Sequence, residues 1–585
     1  MLADGALNPR ARAAALERMA SGLDLLIVGG GVTGAGAALD AAARGLDVGL
    51  VEARDLASGA SSKSSKLIHG GLRYLEMGDI GLVREALRER ELLLRRLAPH
   101  LVSPVPFLWP LRGRGWERVY LGTGLVLYDT LGGGRSVPRH RHLTRAGARR
   151  EAPGLSAAGL TGAVQFHDAA EDDARMVAVL ARTAAAHGAL IATRTELVEL
   201  LRSGERVTGA VVRDHEREET LTIPARSVAL AVGAWTDAVR VRSGARFETE
   251  MRPSKGIHVV VPRERIRMET GLLARTEKSV LFVIPTDAGW LIGDTDTPWT
   301  HGPDEVVASG ADVDYVLAKA NEFLVEPLAR ADVIGVFAGL RPLVGPAAVS
   351  DTTRLSRRHV VERPLPGLTT IAGGKYTTYR VMAADLVDAA ARELTDVPPS
   401  PTDRIPLLGA DGFVSAWRRR LRLAAEAGLE PATVERLLRR YGDRAGELVG
   451  IIAERPELAE PLSGGGGHIA AEVVHACTHE GALRLEDVLE RRTRLAITTR
   501  DRGTLAAAEA ASLMAGELGW SPERADREVA AWERRIAAER AGEAERDDAS
   551  ALAAYRAALA GADELADPAA SHTAPGDPHE TEAAR

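Results

Sequence analysis

The chain has 585 residues, a formal net charge of −7 and a single cysteine, Cys477. The acidic balance argues against broad nucleic-acid binding, which depends on basic surfaces. One cysteine excludes an intrachain disulfide, a zinc finger and an iron–sulfur site and favours a reducing compartment, and no run of about 18 apolar residues predicts a transmembrane helix.

The first 22 residues are rich in alanine and arginine. They carry scattered charges and no apolar core, so they do not have the pattern of a signal peptide. We expect residues 1–22 to form a polar leader that is long enough to contain a short helix.

A strand, a glycine turn, a helix and a second strand follow. Leu23–Val28 is an apolar strand, the turn reads GGGVTG from Gly29 to Gly34, and Ala35–Arg44 has helical spacing. Gly29, Gly31 and Gly34 hold the three glycine positions of the G-x-G-x-x-G motif, which lets a backbone approach a pyrophosphate at a helix N-terminus. The context predicts a dinucleotide site.

Glu52 ends the second strand, 23 residues after Gly29. A carboxylate at this place accepts hydrogen bonds from ribose hydroxyls and repels a 2′-phosphate. The motif alone leaves NAD and FAD open. A late strand that ends in Gly373-Gly374 is typical, by analogy, of two-domain flavoproteins, whose first βαβ unit is completed by a distant segment.

The loop after Glu52 is rich in serine and then turns apolar. Ser61, Ser62, Ser65 and Lys66 offer hydroxyl and ammonium groups that suit phosphate or flavin-ring hydrogen bonds. A flexible linker is the alternative, but the apolar stretch from Leu67 to Leu75 is unlike a linker.

Composition divides the rest of the chain. Residues 23–395 alternate strands and helices, and their antiparallel turn signals indicate a second sheet. Four prolines between Asp396 and Pro406 precede a region with helical spacing. We therefore predict an α/β two-domain flavoprotein in residues 23–395, in which a Rossmann-type FAD-binding domain and an antiparallel-sheet substrate domain are interleaved. An all-helical C-terminal domain (396–545) and a disordered tail (546–585) are predicted to follow.

The stretch Ser64–Glu76, SSKLIHGGLRYLE, resembles a signature of the FAD-dependent glycerol-3-phosphate dehydrogenase family, the aerobic, membrane-associated type. The resemblance runs from about residue 22 to 540 in unchanged order. Its further motifs are Asp172–Arg175, Pro253–His258, Val283–Pro285, Gly339–Leu343, Gly373–Arg380, Glu486–Leu489 and Arg491–Arg494. It implies oxidation of sn-glycerol 3-phosphate to dihydroxyacetone phosphate, a step of glycerol and glycerophospholipid metabolism.

That substrate needs a phosphate clamp and a proton acceptor. Arg73 and Arg341 are the candidates for the clamp, because guanidinium groups donate paired hydrogen bonds to phosphate, and Tyr74 adds a donor. His258 is the first choice as base and Lys375 the second, while Arg341 also belongs to the catalytic group.

The resemblance also assigns flavin contacts. His69 and Gly70 are expected to line the flavin, and Gly373, Gly374, Lys375 and Thr377 to lie at its pyrimidine edge. Donors and positive charge there would stabilise a reduced, anionic ring. The chain departs from the family at Asp294, where a threonine is expected, and at Tyr376, where an aliphatic residue is common.

A reduced flavin needs an oxidant. The resemblance implies a membrane quinone and a peripheral position at the cytoplasmic face, on a lipid surface, and it leaves a homodimer open. Phe413–Leu423 and Leu111–Tyr120 are candidate membrane anchors, with solvated helices as the equal alternative.

Other functions stay open at this point. One is an oxidase of the same substrate that makes hydrogen peroxide, another is a flavin-binding scaffold, and a third is an amine oxidase without a phosphate clamp. No metal site is predicted, since His475 and His479 lack a third ligand at fitting spacing, and Cys477 lies too far along the chain for a cysteinyl flavin.

Overall fold

The computed structural model describes residues 4–560, apart from residues 77, 114, 133–135, 246, 248, 277–279, 346–357 and 395 and the side chains of Arg73, Glu76, Arg242 and Ser243. The strands of the described chain are β1 (Leu23–Val28), β2 (Val48–Val51), β3 (Leu67–Ile68), β4 (Ser103–Arg112), β5 (Arg141–Thr144), β6 (Leu160–Ala170), β7 (Leu190–Ala192), β8 (Thr195–Ser203), β9 (Arg206–Asp214), β10 (Glu219–Leu230), β11 (Glu250–Met251), β12 (Ser254–Val261), β13 (Gly271–Arg275), β14 (Val280–Thr286), β15 (Gly289–Gly293), β16 (Thr297–Pro298), β17 (Gly335–Arg341), β18 (Val344–Gly345), β19 (His359–Leu365) and β20 (Leu368–Gly373).

The helices are α1 (Pro9–Met19), α2 (Val32–Ala43), α3 (Leu72–Glu76), α4 (Ile80–Leu92), α5 (Gly115–Leu131), α6 (Arg145–Glu151), α7 (Asp173–Ala186), α8 (Thr236–Ser243), α9 (Gly310–Asn321), α10 (Tyr379–Ala390), α11 (Phe413–Arg418), α12 (Arg420–Ala427), α13 (Pro431–Tyr441), α14 (Ala445–Glu454), α15 (Ala470–His479), α16 (Leu495–Thr498), α17 (Thr504–Leu518), α18 (Pro522–Ala544) and α19 (Asp548–Ala560). Two π-helical turns, Leu93–Leu97 and Asp487–Arg492, interrupt this pattern.

A parallel sheet forms around the first strand. Its order is β19–β20–β10–β1–β2–β7, in which only the edge strand β19 is antiparallel to its neighbour. Strand β9 pairs with β10 in antiparallel fashion, and β8 pairs with β9 in the same way. All but one of the residues of β1 are buried, which explains its almost uninterrupted apolar sequence. Helices α2, α7 and α10 cover one face of the sheet. The carboxyl ends of β1 and β2, where such sheets bind ligands, point toward the second sheet.

The second sheet is antiparallel apart from the β4–β13 pair. Its order is β16–β12–β15–β14–β13–β4–β6–β3, with β17 paired to β12 and β5 to β6. Helix α9 packs on one face of this sheet through a core that includes the buried Trp290. The other face contributes side chains such as Phe282 to a cavity shared with the parallel sheet.

The helices from α11 onward form a separate layer that is joined to the parallel sheet by buried ion pairs. Arg491 and Arg492, in the second π-helical turn, both pair with Asp55 just beyond β2. The predicted fold class is confirmed: a Rossmann-type domain, an antiparallel-sheet domain and a C-terminal helical domain are all present.

The predicted leader is part of the folded chain. Helix α1 buries Leu16 and Met19 against the parallel sheet, and the Arg12 guanidinium pairs with the buried Asp214 of β9. The apolar face is hard to see in the sequence because small alanines and arginines surround these two large side chains.

The prediction of a disordered tail from residue 546 is wrong for residues 548–560, which form α19. Asp548 pairs with the fully buried Lys255 of β12, and Leu552 packs against Leu340 of β17. The alanine-rich sequence resembles a solvated tail, and the partner lysine lies almost 300 residues earlier. Residues 561–585 lie outside the described chain.

Candidate active site

A cavity of about 1310 Å³ lies where the carboxyl ends of the parallel strands face the second sheet. Its lining combines the glycine turn, the serine-rich loop, strands β12 and β17 and the turn after β20. Residues from five distant parts of the sequence therefore meet around one space.

The glycine turn forms one end of this cavity. Gly29 has a left-handed φ of 111°, and a Cβ on Gly34 would lie 1.9 Å from the carbonyl oxygen of Gly29, so only glycine fits at position 34. Gly31 caps α2 without a side-chain hydrogen bond, and the Val32 amide donates to Ser61 Oγ at 3.0 Å. The start of α2 is thus a cradle for an anionic group.

Glu52 lines the cavity beside this turn. Its carboxylate accepts hydrogen bonds from the amides of Gly30 at 2.6 Å and Arg54 at 2.8 Å. Burial raises the pKa of this carboxyl, and the two backbone hydrogen bonds partly offset that effect. The donors fix Glu52 at the end of β2, in the place where the sequence predicts a ribose contact.

The serine-rich loop is anchored from behind by Asp173. The buried Asp173 carboxylate accepts hydrogen bonds from Ser64 Oγ at 2.8 Å, from Lys66 Nζ at 2.8 Å and from Arg494 Nη2 at 2.7 Å. Burial opposes the charge on the Lys66 ammonium and lowers its pKa to about 8. The helical domain therefore reaches the loop through Arg494 and fixes the face that Ser61 and Ser65 present to the cavity.

His258 lies in β12 on the opposite wall. Its Nε2 is 2.9 Å from Ser65 Oγ, and its ring stacks on Phe337 with centroids 5.0 Å apart. A Cβ on Gly293 would lie 2.3 Å from the imidazole, so the glycine makes room for the ring. Burial lowers the pKa of His258 to about 4, although the Asp294 carboxylate opposes this effect. The imidazole is neutral at pH 7 and able to accept a proton.

Arg341 ends β17 next to His258. Its guanidinium pairs with Asp294 and donates to the Thr295 carbonyl at 2.8 Å, and its Nη1 lies 3.5 Å from Asp296. Burial opposes the charge, but the two carboxylates outweigh it and hold the pKa of Arg341 above its ordinary value. The cavity thus holds a permanent cation with a carboxylate already bound to it.

Lys375 lies on the turn between β20 and α10. Its Nζ is 3.4 Å from the centroid of the Tyr74 ring, a cation–π arrangement. Gly373 and Gly374 both have left-handed φ values, 77° and 94°, and shape this turn. Thr377 Oγ1 accepts a hydrogen bond from the amide of His69 at 3.1 Å, so the turn is tied to β3.

The structure brings most of the predicted site residues to the cavity. The lining includes Gly29, Gly31, Glu52, Ser61, Ser65, His69, Tyr74, His258, Arg341, Gly373, Gly374, Lys375 and Thr377. Arg73 belongs to α3, and its side chain lies outside the described residues. The predicted roles of these residues stay predictions.

Four predicted contacts are placed behind the lining. Gly34 supports the turn, Ser62 is buried, Lys66 pairs with Asp173, and the Gly70 amide donates to the Tyr128 hydroxyl at 2.9 Å. The predicted contacts of these four residues with the cofactor stay predictions.

The predicted set does not include Trp235, which lines the cavity, or Phe337, which contacts the lining residue His258. Trp235 follows β10, carries Arg54 over its ring at 4.5 Å and donates from Nε1 to Asp304 at 2.7 Å. Phe337 provides the stacking surface for His258. The sequence Gly233-Ala234-Trp235 after an apolar strand is the available signal for Trp235. The stacking of Phe337 on His258 depends on the register of β12 on β17, which the sequence does not show.

Known proteins resemble this chain over nearly its whole length. Residues 24–380 match the family of FAD-dependent oxidoreductases, and residues 400–525 match the C-terminal domain of alpha-glycerophosphate oxidase. A glycerol-3-phosphate dehydrogenase of Mycobacterium leprae is 50% identical over 548 residues, 93% of this chain and 94% of that protein. The mitochondrial glycerol-3-phosphate dehydrogenase of Mus musculus is 36% identical over 86% of this chain and 72% of that protein.

Two solved structures share the fold. The glycerol-3-phosphate dehydrogenase from Bacillus halodurans, complexed with FAD, has a TM-score of 0.76 and 27% identity and covers 90% of this chain and 97% of that one. The L-alpha-glycerophosphate oxidase from Mycoplasma pneumoniae, with FAD bound, has a TM-score of 0.51 and 18% identity, covering 66% of this chain and 99% of that one, and shows the fold alone.

Proposed function

We propose a function from the premise that this chain belongs to the FAD-dependent glycerol-3-phosphate dehydrogenase family of oxidoreductases. It oxidises sn-glycerol 3-phosphate to dihydroxyacetone phosphate and passes the electrons to a membrane quinone. The observation that carries the proposal is the meeting of His258, Arg341 and Lys375 in the same cavity as the glycine turn.

The residues present fit FAD. The turn leaves no space for a Cβ at Gly29 or Gly34 and opens toward the cavity, as a pyrophosphate requires. Glu52 is placed for a ribose and Trp235 forms a wall beyond it. Bound FAD supplies the acceptor for the two electrons that leave the alcohol carbon.

Arg341 is the proposed phosphate contact. A guanidinium binds a phosphate through paired hydrogen bonds, and Arg341 presents its charge to the cavity across from Lys375 and Tyr74. Gly256 has no side chain, and a Cβ there would lie 2.5 Å from Arg341 Nη2, so the strand leaves the guanidinium its position. Arg73 on α3 is the second proposed contact.

His258 is the proposed base. Oxidation of a secondary alcohol releases a hydroxyl proton, and a neutral imidazole accepts it at the nitrogen that carries no hydrogen. Ser65 Oγ, 2.9 Å from Nε2, holds the ring in position. Lys375 balances the negative charge that the substrate brings, and Phe337 keeps water from one face of the imidazole.

The exposed apolar surface of helix α5 supports the proposal of a quinone acceptor at a lipid surface, and the family resemblance implies that this surface is the cytoplasmic face of the membrane. Trp116, Val119, Tyr120 and Val126 are each more than half exposed, and α5 has no charged residue between Arg118 and Asp129. Tyr120 also lines the cavity. An exposed apolar surface at the mouth of a redox cavity suits an apolar acceptor.

No helix among the described residues combines the length and the apolar character that crossing a membrane requires. Of the two predicted anchors, residues 111–120 include the end of β4 and the first part of α5. Residues 413–423 form α11 and the start of α12 and are not part of the cavity lining. Arg420 and Arg439 also cover the ring of Trp417 in that region. The structure therefore favours α5 over this segment as the proposed membrane contact.

The test is a steady-state assay of the purified holoenzyme with sn-glycerol 3-phosphate. We expect dihydroxyacetone phosphate and stoichiometric reduction of a quinone analogue, with little peroxide in air. Peroxide formed at the rate of substrate oxidation would instead establish the oxidase, and no oxidation by any acceptor would favour the flavin-binding scaffold.

Arg73→Ala provides a second arm of the test. We expect it to raise the KM for sn-glycerol 3-phosphate strongly, because it removes a guanidinium from the proposed clamp. An unchanged KM together with turnover of an amine would contradict the phosphate clamp and support an amine oxidase.

A further inference from the structure

The Arg341 guanidinium is already neutralised within the cavity. Asp294 and Asp296 flank it from the turn between β15 and β16. The two carboxylates differ in their surroundings. Asp296 accepts a hydrogen bond from the Ser254 hydroxyl, and its side chain is 7% exposed. Among the described residues, Arg341 is the only side chain that hydrogen-bonds to Asp294.

We propose that Asp294 is an internal counter-ion that competes with the substrate phosphate for Arg341 and sets the affinity of this site for phosphorylated ligands. The proposal rests on the proposed function, because it assumes that Arg341 binds the phosphate. Asp294 lines the cavity on the same side as Arg341, so a phosphate at the guanidinium lies next to the carboxylate.

The loss of phosphate affinity that Asp294 causes follows from the charges of the two groups. A phosphate dianion that binds Arg341 either displaces the Asp294 carboxylate or accepts its repulsion at short range. At about 6 Å, with a screening close to that of water, the repulsion between a dianion and a carboxylate weakens binding by about tenfold. Removal of the Asp294 charge leaves Asp296 in place, so Arg341 keeps one partner and does not become an isolated buried cation.

Asp294 therefore lowers the affinity of the site for phosphate but holds Arg341 in position before the ligand binds. The ion pair holds Arg341 against the end of β15 before the ligand arrives, and the Thr295 carbonyl shares the same Nη2 group. A phosphate then binds to an arginine whose position is fixed but whose charge is partly compensated. With a neutral side chain at position 294, the site should bind phosphate more tightly.

The experiment compares Asp294→Asn and Asp294→Thr with the wild-type holoenzyme. Inorganic phosphate is titrated into each protein and followed through the visible absorbance of the bound flavin, so that the measurement needs no turnover. Both variants should lower the dissociation constant of inorganic phosphate about tenfold and lower the KM for sn-glycerol 3-phosphate in the same direction. The flavin content of each preparation verifies that it is folded.

Asp287→Asn is the matched control. Asp287 lies in the exposed turn at the other end of β15, so the same loss of charge occurs in the same hairpin but away from Arg341. Its dissociation constant for phosphate should stay within about twofold of the wild type.

The outcomes separate this inference from the proposed function. Unchanged or weaker phosphate binding in both Asp294 variants would overturn the inference, and weaker binding would show that the carboxylate contacts the ligand favourably. A wild-type enzyme that binds phosphate but does not oxidise sn-glycerol 3-phosphate would overturn the proposed function, while the phosphate titration would still decide the role of Asp294.

Discussion

The ion pairs between Asp55 and the second π-helical turn lead to a quantitative prediction. Asp55 follows β2, and its carboxylate accepts hydrogen bonds from Arg491 Nε at 2.5 Å and from both terminal nitrogens of Arg492 at 2.8 Å. All three side chains are almost completely buried. Asp55→Asn keeps the shape and removes the charge that connects the two domains.

The size of the expected destabilisation follows from the pKa of the Asp55 carboxyl. Burial opposes its ionisation, but Arg492 and Arg491 outweigh burial and lower the pKa of Asp55 from 3.8 to about 2. At 1.36 kcal/mol per pKa unit this difference stabilises the folded state by about 2 kcal/mol at pH 7. Loss of one partner of a buried pair costs about 3–5 kcal/mol, because the remaining charge is left uncompensated.

The sign of the pH dependence is fixed. The pKa of Asp55 is lower in the folded state, so its contribution is complete above pH 4 and is lost as the pH falls from about 4 to 2. At pH 7 we expect Asp55→Asn to lower the free energy of unfolding of the holoenzyme by about 2–5 kcal/mol.

Urea unfolding, followed both by flavin fluorescence and by circular dichroism, measures the effect. Asp314→Asn is the control, since Asp314 pairs with Arg330 at 2.6 Å on the surface, where such pairs contribute about 0–1 kcal/mol. If Asp55→Asn destabilised the protein no more than Asp314→Asn, the buried pairs would not be what holds the helical domain to the flavin domain.

Three further changes test other parts of the account. Gly34→Ala should yield protein without flavin, because its Cβ would lie 1.9 Å from a carbonyl oxygen, whereas Gly450→Ala, with no atom near its Cβ, should retain flavin; flavin content after purification decides. Loss of the base in His258→Asn should slow flavin reduction by about 10²–10⁴-fold. The rate of the wild-type enzyme at saturating substrate should stay constant from pH 7 to 5, because burial lowers the pKa of His258 to about 4. A fall in that rate near pH 6.5 would contradict this prediction. Removal of residues 546–585 should raise KM several-fold by uncovering Leu340; an unchanged KM and melting temperature would refute a supporting role for α19.

The sequence was informative wherever function depends on neighbouring residues. The glycine turn and Glu52 lie within 24 residues, and their spacing alone predicted the strand, the turn and the helix that the structure contains. The alternation of strands and helices followed by a long helical region predicted the domain types for the same reason, because periodicity is a local property.

Long-range pairing could not be predicted in this way. Asp173 binds Lys66 and Arg494, and Asp55 binds Arg491 and Arg492, and every one of these pairs joins residues more than 100 positions apart. The sequence predicts Lys66 as a flavin contact, and it gives no sign that the Lys66 ammonium pairs with Asp173. Charged residues in a sequence show that partners are needed but not which residues they are.

Position 294 is a second case that the sequence alone does not explain. An aspartate in place of the expected threonine was visible in the sequence, but its meaning was not. Asp294 follows the end of β15 and Arg341 ends β17, and both of these strands pair with β12. The ion pair between the two residues shows that the change at position 294 concerns the charge of the proposed phosphate contact.

The most direct test of the central claim is a single turnover of the purified protein without oxygen. The flavin absorbance is followed after addition of sn-glycerol 3-phosphate and, separately, of glycerol. We predict that the phosphorylated substrate bleaches the flavin completely while glycerol at the same concentration leaves it oxidised, because Arg341 and its neighbours bind the phosphate group. Equal bleaching by both alcohols, or bleaching by neither, would contradict the account.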